Sequence, residues 1–323
     1  MRIKISVIFV ALTILMVAPV YAKTKLVIAG SEAVDSLLDR MSVKFEQILS
    51  EEGGSYFKIN LIRGQSLGSA PQVMEQHQAG SVDIMYSRPT WFANNIQDFN
   101  VLNWGFTFRD REHLNKFLKS SIFEGMNKQV IKKMGVRLLA VGVDQPRILY
   151  TRKPVRSVED IQGMKMRVPG IESYVKLWKT VGTVPTSVPW AEAFIALRSG
   201  NVDGAEADAS GAYSQKFHVA APNITMTRHV MSSAHISVNE STWQNLSLGQ
   251  QQILRDAAKQ AVAWMSEMAK GDSQKVLKTM ISEGASVTEL NTNPFADKAR
   301  SGVNEQEDAG LWSRGLWQKI RNL

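Results

Sequence analysis

From Lys25 onward the chain alternates between two hydrophobic periods, and this alternation narrows its possible folds more than any other feature. Lys25 to Ala29 reads as a strand. Asp35 to Ser50 follows at helical spacing, with Leu37, Leu38, Met41, Phe45 and Ile48 on one side. Tyr56 to Ile62 alternates as a second strand, Gln72 to Ala79 is a helix stopped by Gly80, and Ser81 to Tyr86 is a third strand. A β-α-β-α-β order predicts an α/β fold with parallel strands and crossover helices. The order resumes further on. Ser157-Val-Glu-Asp160 has the form of a capping box for a short helix. Met164 to Val168 is a strand, and Ser173 to Val181 is a helix closed by Gly182. Pro189 to Arg198 is a helix with Pro in its first turn and Gly200 beyond its end.

Gln78-Ala-Gly-Ser-Val-Asp83 and Arg198-Ser-Gly-Asn-Val-Asp203 share one grammar: helix, glycine stop, Val-Asp, strand. Two lobes of similar build produce such a duplication. So does chance, because helix-Gly-strand junctions are common. Between the two stretches, Glu112 to Met134 is read as one helix ending at Gly135, and Arg137 to Val143 as a strand. Val230 to Val238 alternates again and is the expected return crossing to the first lobe. Ser247-Leu-Gly-Gln250 caps a helix that runs to about Ser282. That length suits either two helices broken at Gly271 or one helix lying along both lobes. Trp312 and Trp317 are expected to pack the tail down.

The first residues have a different purpose. Met1-Arg2-Ile3-Lys4 is a short cationic start, Ile5 to Ala18 is almost wholly apolar, and Val20-Tyr21-Ala22 offers small residues for cleavage. This is the pattern of a secretory signal peptide over residues 1–22. The alternative is an uncleaved anchor, but the apolar run is short beside the roughly 20 residues a span needs. Cleavage after Ala22 would remove Arg2 and Lys4 and lower the formal charge of +8 by two. The chain has no cysteine, which excludes disulfides, thiol catalysis and a lipid-modified amino-terminal Cys. The expected location is the periplasm. The basic residues are scattered and not interleaved with aromatics, so nucleic acid is not an expected partner. A mild positive field favours an anionic small solute.

Signatures of catalysis are missing. The chain has no phosphate-binding loop, no G-x-G-x-x-G and no G-x-S-x-G. None of His77, His113, His218, His229 and His235 lies at metal-ligand spacing with another ligand. No cofactor is expected. What remains is Arg167, within Gly163-Met-Lys-Met-Arg-Val-Pro-Gly170. A strand end aims its side chain at a fixed place, and Pro169 holds Val168 extended. A guanidinium held in this way can grip a carboxylate with two parallel charge-assisted bonds. A surface charge or a structural ion pair is the alternative.

Several segments together carry a resemblance. They are Ser157-Val-Glu-Asp-Ile-Gln-Gly163, Met164-Lys-Met-Arg-Val-Pro169, Val188-Pro-Trp-Ala-Glu192, Ala196-Leu-Arg-Ser-Gly-Asn-Val-Asp-Gly204 and Glu206, with Gly64-Gln-Ser-Leu-Gly68 and Gln78 to Asp83 upstream. This set resembles the DctP-type solute receptors of tripartite ATP-independent periplasmic (TRAP) transporters, in order and spacing over essentially the whole mature chain. The resemblance implies a two-lobed α/β solute-binding fold, with crossing strands and a long helix linking the lobes. Lobe I would comprise 23–144 plus 233–272, and lobe II 145–232 plus 273–323. It also implies a monomeric receptor, not an enzyme, that binds a small organic acid, such as a sugar acid, and delivers it to the TRAP permease subunits. A module docking to a sensor kinase and a periplasmic enzyme acting on an acidic sugar are the competing classes.

By the same resemblance Arg167 clamps the solute carboxylate. Arg147 corresponds to a second arginine that some members aim at the ligand, a hinge ion pair being the alternative. Trp190 stands where an aromatic face packs on the ligand, or else anchors a helix start. The chain departs from many acid binders at Glu206-Ala207-Asp208, where an Asn follows the Glu in those members. Glu206 and Asp208 are nonetheless counted with the site, although alternation does not say whether Asp208 faces the cleft or solvent. Ser31, Glu32, Tyr86 and Arg88 are added because loops after parallel strands are where open α/β sheets bind ligands. For Arg88 and neighbouring Trp91 a local loop contact is the alternative.

Overall fold

The computed structural model describes residues 23–323. The signal-peptide reading falls on residues 1–22 and lies outside them. One nine-stranded sheet organises the rest, in the order β2-β1-β3-β8-β4-β7-β5-β6, with β9 beside β8. The strands are β1 (Thr24–Ala29), β2 (Phe57–Ile62), β3 (Ile84–Ser87), β4 (Val136–Thr151), β5 (Lys165–Val168), β6 (Val184–Ser187), β7 (Gly204–Ala207), β8 (Asn223–Asn239) and β9 (Ser286–Thr288). The order is close to a palindrome. β1 lies parallel between β2 and β3, just as β5 lies parallel between β6 and β7. β3 then meets β8, and β7 meets β4, both antiparallel. The long strands β4 and β8 pair with each other through both halves, giving a two-lobed molecule with two crossing strands.

The duplicated sequence grammar has a structural counterpart. Gly80 and Gly200 both take left-handed backbone, with φ of 81° and 77°, where a side chain would be strained. Asp83 then bonds twice to Val27 of β1, its amide donating to the carbonyl (3.0 Å) and its carboxylate accepting from the amide (2.8 Å). Asp203 makes the same pair with Lys165 of β5, at 2.7 and 2.9 Å. In each half a Val-Asp step thus fastens the third strand to the first. Two lobes of similar build, not chance, account for the repeat.

The helices follow mostly from capping and periodicity. α1 (Leu37–Gly53) starts where the Ser36 hydroxyl accepts from the Asp39 amide, and it buries Leu37, Leu38, Met41, Phe45, Ile48 and Leu49. α2 (Ala70–Gln78) begins at a capping box of Ser69 and Gln72. The expected single helix over 112–134 is in fact two, α3 (Arg111–Leu118) and α4 (Ser121–Met134). Ser120 is the cause: its hydroxyl accepts from the Phe123 amide and opens a new helix. The turn lets Phe117 meet Phe123 edge-on at 5.5 Å. The short helix expected to start at the Ser157 capping box does not form. The Asp160 carboxylate turns back to accept from the amides of Arg156 and Ser157, at 2.8 and 2.9 Å, and this loop leads straight into β5. α5 (Glu172–Thr180) is as expected, whereas the Pro189 segment divides into a 3-10 turn, Trp190–Glu192, and α6 (Ala193–Ser199). α7 (Ala209–Ser214) follows β7.

The long helix runs unbroken from Leu248 to Ser282, through Gly271. Its buried stripe of Leu254, Ala257, Ala258, Ala261, Val262, Met265 and Ala269 continues beyond the glycine to Asp272, Leu277 and Met280. A continuous i, i+3, i+4 stripe holds a helix straight against its partners, and Gly271 costs only its propensity. In the tail, Trp312 packs on Trp104 with ring centroids 5.4 Å apart, and Trp317 is also buried, so the tail is tied down as expected.

Two buried histidines make the core sensitive to acid. His77 bonds to the Val82 carbonyl and the Ser237 hydroxyl, yet burial still pulls its pKa down to about 4. His235 packs on Phe92 with neither ring nitrogen partnered, and burial pulls it down to about 3. Between the ordinary histidine value of about 6.5 and these values the unfolded chain holds the extra protons, so both contributions to stability are lost as pH falls through that window. Asp144, raised to about 6 chiefly by burial, works in the opposite sense over its own window. The His235→Leu variant should therefore lose less Tm than the parent between pH 6.5 and pH 4. Thermal melts across that range check this, and parallel acid limbs would contradict it.

Candidate ligand-binding cleft

The strand ends of both halves converge on one cavity of about 700 Å3. The loop after β1 supplies Ser31 and Glu32, and the loop after β3 supplies Arg88 and Trp91. β4 supplies Arg147, the end of β5 supplies Arg167, and α5 supplies Tyr174. Trp190 comes from the turn after β6, and Asp208 from the end of β7. This is where open α/β sheets place ligands.

Arg167 is 2% exposed and lies in the parallel β5 between Thr186 and Ala205. Its Nε donates to the Val188 carbonyl at 2.9 Å, and its guanidinium carbon lies 5.3 Å from the centre of the Trp190 ring. The fork is thereby held at its root and along its face. Neither Nη donates to an acceptor among the described residues, and no carboxylate pairs with it. Burial pulls its pKa down to about 10, with Glu206 restoring a part. A cation whose pKa is lowered by desolvation is one that lacks a counter-charge.

Arg147 is different. Its Nε and Nη2 grip both carboxylate oxygens of Glu206, and Nη2 also donates to the Glu206 carbonyl at 3.0 Å. Burial alone would weaken its charge, but Glu206 more than reverses this, and the arginine holds its proton more tightly than usual. Glu206 in turn is pulled down to about 2 by Arg147 despite its own burial. Tyr174 covers the guanidinium, with the ring centre 5.5 Å away. Arg147 therefore meets the cavity as an already neutralised, rigid donor. Glu206 is fully buried behind it and is not on the cavity wall. Alternation along β7 explains this placement, since Ala205 and Ala207 face a different core while Glu206 faces Arg147.

Tyr86 is also off the wall. Ile84 and Tyr86 share the face of β3 that packs under α1, and the ring lies so close to Gly30 that a Cβ there would sit 2.4 Å from it. Arg88, just past the strand, turns inward instead. It bonds to three carboxylates: Glu32 at 2.8 Å, Asp144 at 3.0 Å and Asp208 at 2.8 Å. These carboxylates overcome the burial penalty and raise its pKa. Asp208 faces inward, 3% exposed, and also caps α7 by accepting from the Gly211 amide at 2.8 Å.

Asp144 and the residue after it were not foreseen as part of this region. In the β4 ladder Val143 pairs with Ser233 and Pro146 with Met231, so Asp144 and Gln145 oppose Ser232 alone. Pro146 cannot donate to the ladder, and such a bulge re-aims side chains. Asp144 turns to Arg88, while Gln145 donates to Asp272 of the long helix at 2.9 Å and accepts from the Ser210 amide at 3.1 Å. Asp272 also receives Arg40 of α1 at 2.7 Å, and the Ser210 hydroxyl accepts from the Leu37 amide at 2.7 Å. A polar ring thus links α1, the β4 bulge, α7 and the long helix. The Pro146 in Asp144-Gln-Pro146 was the only hint of it in the sequence.

No group of side chains able to hold a metal ion occurs among the described residues, and none of their helices is long and apolar enough to cross a membrane. The model of the bacterial extracellular solute-binding proteins, family 7 (DctP), matches residues 30–308. The chain belongs to this family. As a DctP-family protein it is 26% identical over 286 residues to the sialic acid-binding periplasmic protein SiaP of Vibrio cholerae, covering 88% of this chain and 89% of that one. It superposes on a TRAP periplasmic solute-binding protein of Pseudomonas putida F1 with bound D-glucuronate at a TM-score of 0.85, with 24% identity over 93% of this chain and 97% of the other. The sugar acid-binding protein DctPAm of Advenella mimigardefordensis, in complex with galactonate, gives a TM-score of 0.88 with 20% identity at the same coverage. These two likenesses establish the shared two-lobed fold.

Proposed function

We propose that this DctP-family protein is a periplasmic receptor that takes a small organic acid, such as a sugar acid, into the cleft and delivers it to a TRAP permease. The observation that carries the reading is Arg167: a guanidinium almost wholly removed from water, braced by Val188 and Trp190, with its outer nitrogens unpaired at the cavity wall. A desolvated cation without a counter-ion is costly unless an anion arrives. Arg147 supplies a second, preorganised donor, and Trp190 and Tyr174 exclude water from the apolar side of the guest. The relatives compared above bind sialic acid, D-glucuronate and galactonate, all acids, which fits.

The lobes are proposed to be 23–144 plus 233–272 and 145–232 plus 273–323, with the crossing at the β4 bulge. Arg88 to Asp208 and Leu37 to Ser210 are then contacts between lobes, made when the cleft is closed. Hinge closure over a solute commonly works through a few such element-terminal residues. A thermal-shift screen against organic and sugar acids tests the reading. A ligand at a hundred times its Kd should stabilise the fold by about 2.7 kcal/mol and raise Tm by several degrees. Silence across all carboxylates, with a response to neutral sugars or simple cations, would overturn it.

A further inference from the structure

The charges around the cleft do not balance, and the imbalance describes the guest. Three guanidiniums, Arg88, Arg147 and Arg167, face four buried carboxylates, Glu32, Asp144, Glu206 and Asp208. Arg147 and Glu206 cancel each other. Arg167 is left as a lone cation on the β5 wall. Elsewhere around the cleft a single guanidinium, Arg88, bonds to three acids, with Arg111 beside them at the Asp144 carbonyl. His229, beside Glu206, is pushed toward the neutral form by burial and does not offset this. No lysine lines the cavity.

The acidic side is built to be used. Glu32 is 8% exposed, and only its Oε2 is engaged, by Arg88. Its Oε1 accepts from no group among the described residues, and the residue is on the cavity wall. Asp208 also lines the cavity, fixed by Arg88 and by the α7 amide. Asp144, behind them, has its pKa raised to about 6 by burial and by Asp208, the response expected of a site with surplus negative charge. A plain acid would cancel Arg167 and leave this surplus in place, since hydroxyls give hydrogen bonds but no charge. A guest with a cation set apart from its carboxylate would cancel Arg167 and also reduce this surplus.

Building on the acid-receptor reading, we propose that the cleft selects a zwitterion: its carboxylate on Arg167, and an ammonium or similar cation, several bonds away, on Glu32 and Asp208. Calorimetry on three matched pairs tests this at neutral pH: 4-aminobutyrate against 4-hydroxybutyrate, 6-aminohexanoate against 6-hydroxyhexanoate, and 6-amino-6-deoxy-D-gluconate against D-gluconate. The amino member of a binding pair should win by roughly tenfold or more, the scale of one hydrogen bond to a charged group. Glu32→Gln and Asp208→Asn, each checked for an unchanged melt without ligand, should erase that preference, and Asn keeps the cap of α7. If the hydroxy members bind as well or better, the zwitterion proposal falls while the acid receptor stands. If no carboxylate binds in these pairs or in the wider screen, both fall.

Discussion

Arg167→Ala should abolish measurable binding of the cognate acid and leave the empty protein as stable as before, or slightly more so. The two halves of this expectation have one cause. In the empty cleft the guanidinium is nearly buried and lacks a carboxylate, so it costs the fold free energy; burial has already drawn its pKa down to about 10. Removing it relieves that cost. In the complex the same group is paired, and deleting one partner of a buried charged pair typically costs about 3–5 kcal/mol, or roughly a hundred- to several-thousand-fold in affinity. Arg167→Lys should fall between, because an ammonium keeps the charge and loses the bidentate fork. Calorimetry and an unliganded melt check this together. Wild-type affinity in Arg167→Ala would remove the clamp from the mechanism, and a collapsed melt would show the arginine to be structural. Binding sites commonly carry such a stability cost, because charge and exposed donors are held ready for the guest.

Much of this was legible in the chain because it depends on local rules. The strand order, the glycine stops and the Ser247 cap follow from neighbours within a few residues, and the structure keeps them. Arg167 could be singled out because Pro169 ends its strand and holds Val168 extended. The misplacements share a different origin. Whether Glu206 and Tyr86 face the cavity depends on which side of a strand the partner lobe covers, and a period of two does not reveal that. The break at Ser120 was a choice between continuing a helix and capping a new one, decided by where Phe123 could pack. The triple pairing of Arg88 unites residues from the loops after β1, β3 and β7 with the β4 bulge, and no local pattern links them.

Glu206→Ala should produce the opposite signature to Arg167→Ala. Glu206 is fully buried and holds Arg147 through both oxygens. Without it, a buried guanidinium is left with only the Tyr174 face and backbone acceptors, and the folded state should lose about 3–5 kcal/mol. For a chain of this size that lowers Tm by roughly 5–8 °C. Binding should survive, because the freed Arg147 still faces the cavity and now carries an uncancelled charge beside Arg167. The stabilisation gained on adding the acid should therefore be at least as large as in the parent. Urea unfolding with and without ligand separates the two quantities. A loss below about 1 kcal/mol would mean that Arg147 finds a solvent route, as exposed pairs do. A large loss of affinity with unchanged stability would instead place Glu206 in contact with the guest, in conflict with its position behind the arginine. Arg167 and Glu206 would then have exchanged roles, and the division of the cleft into one waiting cation and one neutralised donor would not hold.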